Sequence, residues 1–450
     1  MRKCMAVVLC FCGLSLAQAA ELGQPSVVAL QTQARDDTQV ANDYLRVMRD
    51  EIKHSEKKKS VFSFLGTSAT PLQQALLDDL DQYLVVYGDK SLSVEALQLK
   101  AILHNRMDKD EALAMDFLTI ISAYSGSRYE KSSRNGLNDL LSGSLKSEQD
   151  ILGALLKQDF ASMPSQEDRL LALLRGLAPI QQEAFHPLIS NMCAHFLVRY
   201  PNDVHDDEVQ YIRAGHAGKE DHVAVYRYRT LLAVYPQSPL RADATLAIGD
   251  IQRTGLKEYE TAVVTYRQLI KDFPSSEAAK HAYIHMALTQ SRHLRLYQEA
   301  LVTLNIAVEK YVDDPVVKEA LNMLGGIYAK KTKEYAKAVE SYRKLSNIFS
   351  GEDGLQALRE AEDIANASMH DYPLVIAIDE QMLHDYSDDA QAAEVLLHIG
   401  DTYADKLKQR TEAIKAYQRV IERYPNSKEA RKASSKIRKL EKGTSSSSLF

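Results

Sequence analysis

Apolar residues recur at helical spacing through most of the chain, and the pattern itself repeats. In the stretch 259–276, YETAVVTYRQLIKDFPSS, the residues Ala262, Tyr266, Leu269 and Phe273 are four, three and four apart. They therefore share one helix face. Pro274 and the two serines after it end that helix, because proline lacks an N–H and serine prefers caps and turns. With Phe273 as a marker, equivalent aromatics stand at Tyr200, Tyr235, Tyr311, Phe349, Tyr386 and Tyr424. Successive intervals are 35, 38, 38, 38, 37 and 38 residues. Eleven before the marker the last six copies carry Ala224, Ala262, Ala300, Ala338, Val375 and Ala413. Seven before it they carry Tyr228, Tyr266, Leu304, Tyr342, Asp379 and Tyr417, and four before it Leu231, Leu269, Ala307, Leu345, Met382 and Val420. One apolar stripe per unit at this period predicts an all-α solenoid of stacked antiparallel helix pairs.

Each unit also predicts an earlier helix. Twenty-four before the marker stand Gly249, Ala287, Gly325 and Gly400, with Ala361 one place off in the Tyr386 unit. A small side chain there lets the first helix approach the second. The order small residue, alanine, aromatic, proline resembles the tetratricopeptide repeat (TPR) family, most closely at 321–345 and 396–425. The resemblance implies a right-handed superhelix and a protein-binding role. Two departures stand out: the period is a few residues longer than the family's, and the first-helix Trp is absent. They suggest longer turns between helices and a slightly altered superhelix. In this family the concave groove is read from first-helix positions beyond the small residue and one turn further on. Carried onto this chain, these are Asp250 and Arg253, Leu288 and Arg292, Lys330 with Asn322, Glu362 and Asn366, and Asp401 and Asp405. The junctions YPQSPLRADATLAIGD and YPNSKEARKASSKI are similar to those of two periplasmic TPR families, one from outer-membrane β-barrel assembly and one from the Tol–Pal system.

The start of the chain has a different character. Arg2 and Lys3, an apolar run and Ala17-Gln18-Ala19 read as a cleavable signal peptide over 1–19, so the expected address is the periplasm. No later apolar run reaches membrane-spanning length. Residues 20–71 read as disordered and linker sequence around one polar helix at 37–57, with Val40, Tyr44 and Val47 on one side. Residues 72–200 read as degenerate repeats ending at Tyr87, Tyr124, Phe160 and Tyr200; a separate helical domain is the rival reading. SGSRYEKSSRNG (125–136) and PNDVHDDEV (201–209) read as polar connections. The solenoid proper spans 201–425, a capping helix 426–442, and a disordered tail 443–450.

Charge narrows the functions. The chain has 55 basic and 61 acidic residues, a net charge of −6. Loss of Arg2 and Lys3 with the leader makes the balance more acidic, which argues against general nucleic-acid binding. Lys and Arg dominate from Lys406 to Lys442, so a contact of the closing helix with an anionic surface is an open expectation. Cys193 is the one cysteine left after the leader, and its place on the stripe predicts core packing. No GxSxG, GxxxxGK[ST] or HExxH motif occurs. His281 and His285 have metal-ligand spacing but lack an evident third ligand, so no metal, cofactor or catalytic residue is assigned. Carboxylate pairs such as Asp313-Asp314 and Asp388-Asp389 read as helix caps. The leading expectation is a non-enzymatic scaffold of the cell envelope that binds proteins or peptides; the alternative is a periplasmic component handling an exported polysaccharide or peptidoglycan strand.

Overall fold

The computed structural model describes residues 37–57, 70–87, 92–312, 314–386 and 391–445. The expected leader, Asp313 and the pair Asp388-Asp389 lie outside the described residues. The fold is all-α, with twenty-one α-helices and no strand among the described residues. It divides into two compact units, 1–218 and 219–450.

The first unit contains α1 (Asp37–Lys57), α2 (Pro71–Tyr87), α3 (Ser93–Arg106), α4 (Asp110–Ala123) and α5 (Glu130–Ser142). It continues with α6 (Gln149–Lys157), α7 (Gln166–Leu177), α8 (His186–Arg199) and α9 (Asp206–Gly215). Its central element is α4, which is apolar on nearly every side and packs on α3, α5 and α7. Tyr124 and Tyr200 cap the ends of α4 and α8. Phe160 is buried but lies three residues beyond the end of α6. Cys193 is fully buried on α8, as its position on the stripe implied.

Three local expectations change here. The helix at 37–57 forms, but its buried face is Ala41, Leu45, Met48 and Ile52, packed on α2 and α3. Val40 and Val47 are exposed. Two overlapping stripes fit the helical period, and the longer aliphatic chains withdraw more apolar area from water. The polar stretch 125–136 is not all connection, because α5 begins at Glu130. Its polar face is tied by the Arg134–Glu130 pair at 2.8 Å, while Leu137 and Leu141 are buried. In the acidic stretch 201–209, Asp206, Asp207 and Glu208 form the first turn of α9, where negative charge suits the helix dipole.

The second unit contains α10 (Asp221–Val234), α11 (Arg241–Thr254), α12 (Tyr259–Asp272), α13 (Glu277–Leu288), α14 (Tyr297–Lys310) and α15 (Pro315–Ile327). It ends with α16 (Tyr335–Ile348), α17 (Glu352–Ile364), α18 (Tyr372–Asp385), α19 (Ala392–Asp401), α20 (Arg410–Arg423) and α21 (Lys428–Ser445). First helices (α11, α13, α15, α17, α19) alternate with second helices, and neighbours in sequence pack together. Every position eleven, seven and four before the markers is buried from Ala224 to Val420. The markers from Tyr235 to Tyr424 are all C-caps, and each marker's N–H donates to the carbonyl four before it. Ser276 then caps α13 by accepting from the Ala279 N–H, and Asp314 caps α15 by accepting from the Val316 N–H.

The small residue does what its position implied. A Cβ on Gly249, Gly325 or Gly400 would collide with the ring of Tyr266, Tyr342 or Tyr417. Four first helices are extended by π-helical turns, at Thr289–His293, Tyr328–Thr332, Ala365–Met369 and Thr402–Lys406, whereas α11, in a repeat of the same length, has no such turn. A left-handed residue follows each extension (Arg295, Lys333, His370 and Lys408), and Lys257 occupies the same place after α11. The next N–H then reaches the carbonyl six residues back, for example Glu334 to Tyr328 at 2.9 Å. That closure satisfies a carbonyl the helix end would otherwise leave bare.

Candidate partner-binding face

Among the first helices, α11 packs on α13 and α13 on α15, and α19 packs on the closing helix α21. All the groove positions carried over from sequence lie on first helices or on their π extensions. Arg292, Asn322, Lys330 and Asp405 are exposed. Leu288 and Asn366 are half-buried, as are Asp250, Arg253, Glu362 and Asp401.

The last four are engaged within the fold. Asp250 accepts from the Tyr266 hydroxyl at 2.7 Å, and His285 Nδ1 of the next first helix lies 2.6 Å from the same oxygen. Arg253 reaches both groups, donating to the Tyr266 hydroxyl at 3.2 Å and standing 3.3 Å from Asp250. Asp401 repeats the device: Tyr417 donates to it at 2.7 Å, and Lys436 Nζ from α21 stands 2.7 Å away. In both joints the basic residue follows the aspartate by thirty-five residues. Between α18 and α19 the pattern is shortened. Asp379 replaces the tyrosine seven before the marker and holds His398 Nδ1 directly at 2.9 Å, with Glu362 Oε1 4.0 Å from the other ring nitrogen. His285 and His398 occupy the same repeat position, twenty-six before their markers.

The electrostatics follow from these contacts. Burial pushes the Asp250 carboxyl up, but His285, the Tyr266 hydroxyl and Arg253 together bring it below its usual value. Burial, with the carboxylate beside the ring hydroxyl, pushes both Tyr266 and Tyr417 up. The bond to Asp379 raises His398 against the opposing effect of burial, while burial raises Asp379 and Glu362.

A second regularity was not read from sequence. Each second helix from α12 to α18 begins with a tyrosine: Tyr259, Tyr297, Tyr335 and Tyr372. The π turn of the following repeat lays a basic residue on three of these rings. His293 stacks on Tyr259 at 4.2 Å, Lys331 sits 5.9 Å from the Tyr297 centroid, and Lys406 sits 5.5 Å from that of Tyr372. The recurrence of tyrosine at this place was the available signal. Also missed was Gly326, where an added Cβ would meet nothing within 4 Å. It leaves bare helix backbone on α15, which also carries Asn322 and leads into the turn holding Lys330.

The ring centroids of His281 and His285 are 6.4 Å apart, and His285 Nδ1 faces Asp250. No cluster of three or more potential ligands occurs among the described residues. The first unit holds a cavity of ≈ 240 Å³ lined in part by Lys100, Asp116, His104, Met115, Leu174 and Met192. Its charges compensate one another within the wall. Lys100 pairs with Asp81 and stands 3.7 Å from Asp116, which also holds His104 Nδ1 at 2.6 Å.

This architecture defines a helix-hairpin repeat protein. Models described as tetratricopeptide repeat match residues 243–276, 394–427 and 318–349, so the chain carries TPR repeats. A search of curated protein sequences gives no match. Among solved structures, the C-terminal part of a TPR repeat-containing protein from Cytophaga hutchinsonii is 13% identical, with TM-score 0.37, over 59% of this chain and 98% of that one. A tetratricopeptide repeat protein from Parabacteroides merdae is 13% identical, with TM-score 0.34, over 61% and 97%. The TPR domain of P58(IPK) is 15% identical, with TM-score 0.26, over 90% and 99%. Likeness at this level goes no further than the helical repeat.

Proposed function

We propose that the protein is a non-enzymatic scaffold of the bacterial cell envelope, working in the periplasm and holding protein or peptide partners on the first-helix face of residues 219–450. TPR repeats suggest a protein-interaction role. The observation that carries the reading is the exposed middle of that face. Asn322 and Lys330 lie four residues to either side of the uncovered backbone at Gly326 and Arg292 is exposed at the end of the preceding first helix, while Asp250 and Asp401 are occupied by Tyr266, His285, Tyr417 and Lys436. Cations and an amide around open backbone suit an extended segment with carboxylate side chains. Tyr266, Tyr342 and Tyr417, on the packing stripe, are buried and offer no face for a sugar ring. The periplasmic address rests on the sequence of residues 1–19.

A photo-crosslinking residue placed at Asn322 in the full chain tests this in cells, with the exposed second-helix position Lys344 as control. Discrete protein adducts are expected from 322 alone, and they should disappear in the Arg292→Glu, Lys330→Glu variant. Equal adducts from both positions, or recovery of glycan without protein, would overturn the reading.

A further inference from the structure

The closing helix α21 divides lengthwise into two faces. Side chains along an α-helix advance about 100° per residue. Ala430 and Ala433 are buried, Ile437 and Leu440 pack into the same core as Tyr417 and Val420, and Glu429 is buried beside them. Lys436 leans inward to Asp401. Opposite this buried arc lie Lys428, Arg431, Lys432, Ser435, Arg438 and Lys439, all exposed. Their spacing of three, one, three, three and one residues keeps them within roughly one third of the helix circumference. The row runs for about 16 Å along the axis. Glu441 lies off this arc, and Lys428 has a neighbouring carboxylate, Glu429 at 3.6 Å.

Packing against α20 uses the apolar face and leaves the cations to solvent. The row is therefore not the outward side of a helix that could insert: its apolar residues are already covered. What remains is a band of five cations, Arg431 and Arg438 along one edge and Lys428, Lys432 and Lys439 along the other, on the last helix of a chain whose net charge is negative. We infer that this row is a docking surface for an anionic lipid bilayer, which the helix meets side-on through headgroup phosphates and carboxylates without entering the hydrocarbon.

A flat charged plane lets every residue of so narrow a band make contact at once, and each surface cation near anionic lipid adds about 1 kcal/mol. A nucleic acid fits less well. The band has no aromatic residue interleaved for base stacking. No described helix is long and apolar enough to cross a membrane, so attachment of this kind would be peripheral. The surface is remote in sequence from Asn322 and Lys330 and independent of the partner-binding proposal.

The test uses the full chain and sedimentation with vesicles of phosphatidylcholine, with and without phosphatidylserine. Binding is expected only to the anionic vesicles, falling steeply as salt rises. The variant Arg431→Glu, Lys432→Glu, Arg438→Glu, Lys439→Glu should lose on the order of a hundredfold or more in partitioning, with its circular-dichroism melt unchanged. A control variant, Lys344→Glu on α16, should bind like the parent. Binding to neutral vesicles alone, absence of binding to anionic vesicles, or unchanged binding of the fourfold variant would overturn the inference. So would tighter binding to an oligonucleotide than to anionic vesicles at matched salt. If the fourfold variant melts early, Arg431→Gln with Lys439→Gln replaces it, and retention of full binding there refutes the role of the row.

Discussion

Arg295 sits at φ 59°, and Lys257, Lys333, His370 and Lys408 have φ between 56° and 61°. Each stands two residues ahead of a second helix, where the π-extended first helix, or α11 itself, turns back. A side chain with a Cβ is strained in this left-handed region, whereas glycine is not. Arg295→Gly is therefore expected to raise stability by about 0.5–1 kcal/mol in urea unfolding. A second residue-scale effect concerns His216, buried beside His186 with their Nδ1 atoms 2.9 Å apart. Its Nε2–H donates to the Ala178 carbonyl at 3.2 Å, so its Nδ1 accepts from His186. Burial, aided by His186, lowers it from 6.5 to about 4. The unfolded chain binds that proton first, so this contribution is complete above pH 6.5 and is lost as pH falls toward 4. Between those limits the loss should reach roughly 3 kcal/mol. His216→Asn should flatten the acid side of a stability–pH curve, and an unchanged slope would contradict the assignment.

Pairs of helices are held by a bare spot meeting a ring. Gly325→Ala would drive a methyl into Tyr342, and Ala338→Phe or Ala413→Phe would overfill fully buried positions. Each should destabilise by about 1–3 kcal/mol, whereas exposed Lys330→Ala should stay within about 0.5 kcal/mol. Thermal melts of the four variants separate these outcomes. Joints between repeats differ from one another. The α18–α19 joint places an imidazole against buried Asp379, and the hydrogen bond holds His398 above its ordinary 6.5. A raised histidine stabilises fully below the unfolded value, and the benefit fades as pH climbs through the raised one. The melting-temperature gap between the parent and His398→Gln should therefore narrow as pH rises above 6.5. A gap that widened would mean that the ring is neutral in the joint.

Each of the two units has apolar cores of its own. Leu118, Phe160 and Phe185 belong to one core of the first, and Tyr342, Leu345 and Leu358 to one of the second. In the second unit the contacts run mainly between neighbouring helices, the arrangement in which a stretch of repeats can stand alone if its ends are covered. The amphipathic α21 covers the C-terminal end. A fragment comprising residues 219–450 is thus expected to be helical and to melt cooperatively. A gradual, uncooperative loss of helix signal would show that it needs the first unit.

Much of the second unit was legible in the chain because its information is local. Ala262, Tyr266, Leu269 and Phe273 meet through a helix whose period fixes which side chains align, and the same meter returns at Ala338, Tyr342, Leu345 and Phe349. The glycines at 249, 325 and 400 announced a close approach before any ring was placed against them. Tertiary structure decided what distance along the chain conceals. Asp250 and Asp401 were read as groove residues because sequence shows their position, not that a tyrosine sixteen residues on and a basic residue thirty-five residues on would consume their lone pairs. The longer period showed that residues had been added, but only the folded backbone revealed the π turns on four first helices. On α1, periodicity alone allowed two stripes, and burial against α2 and α3 chose Ala41, Leu45, Met48 and Ile52.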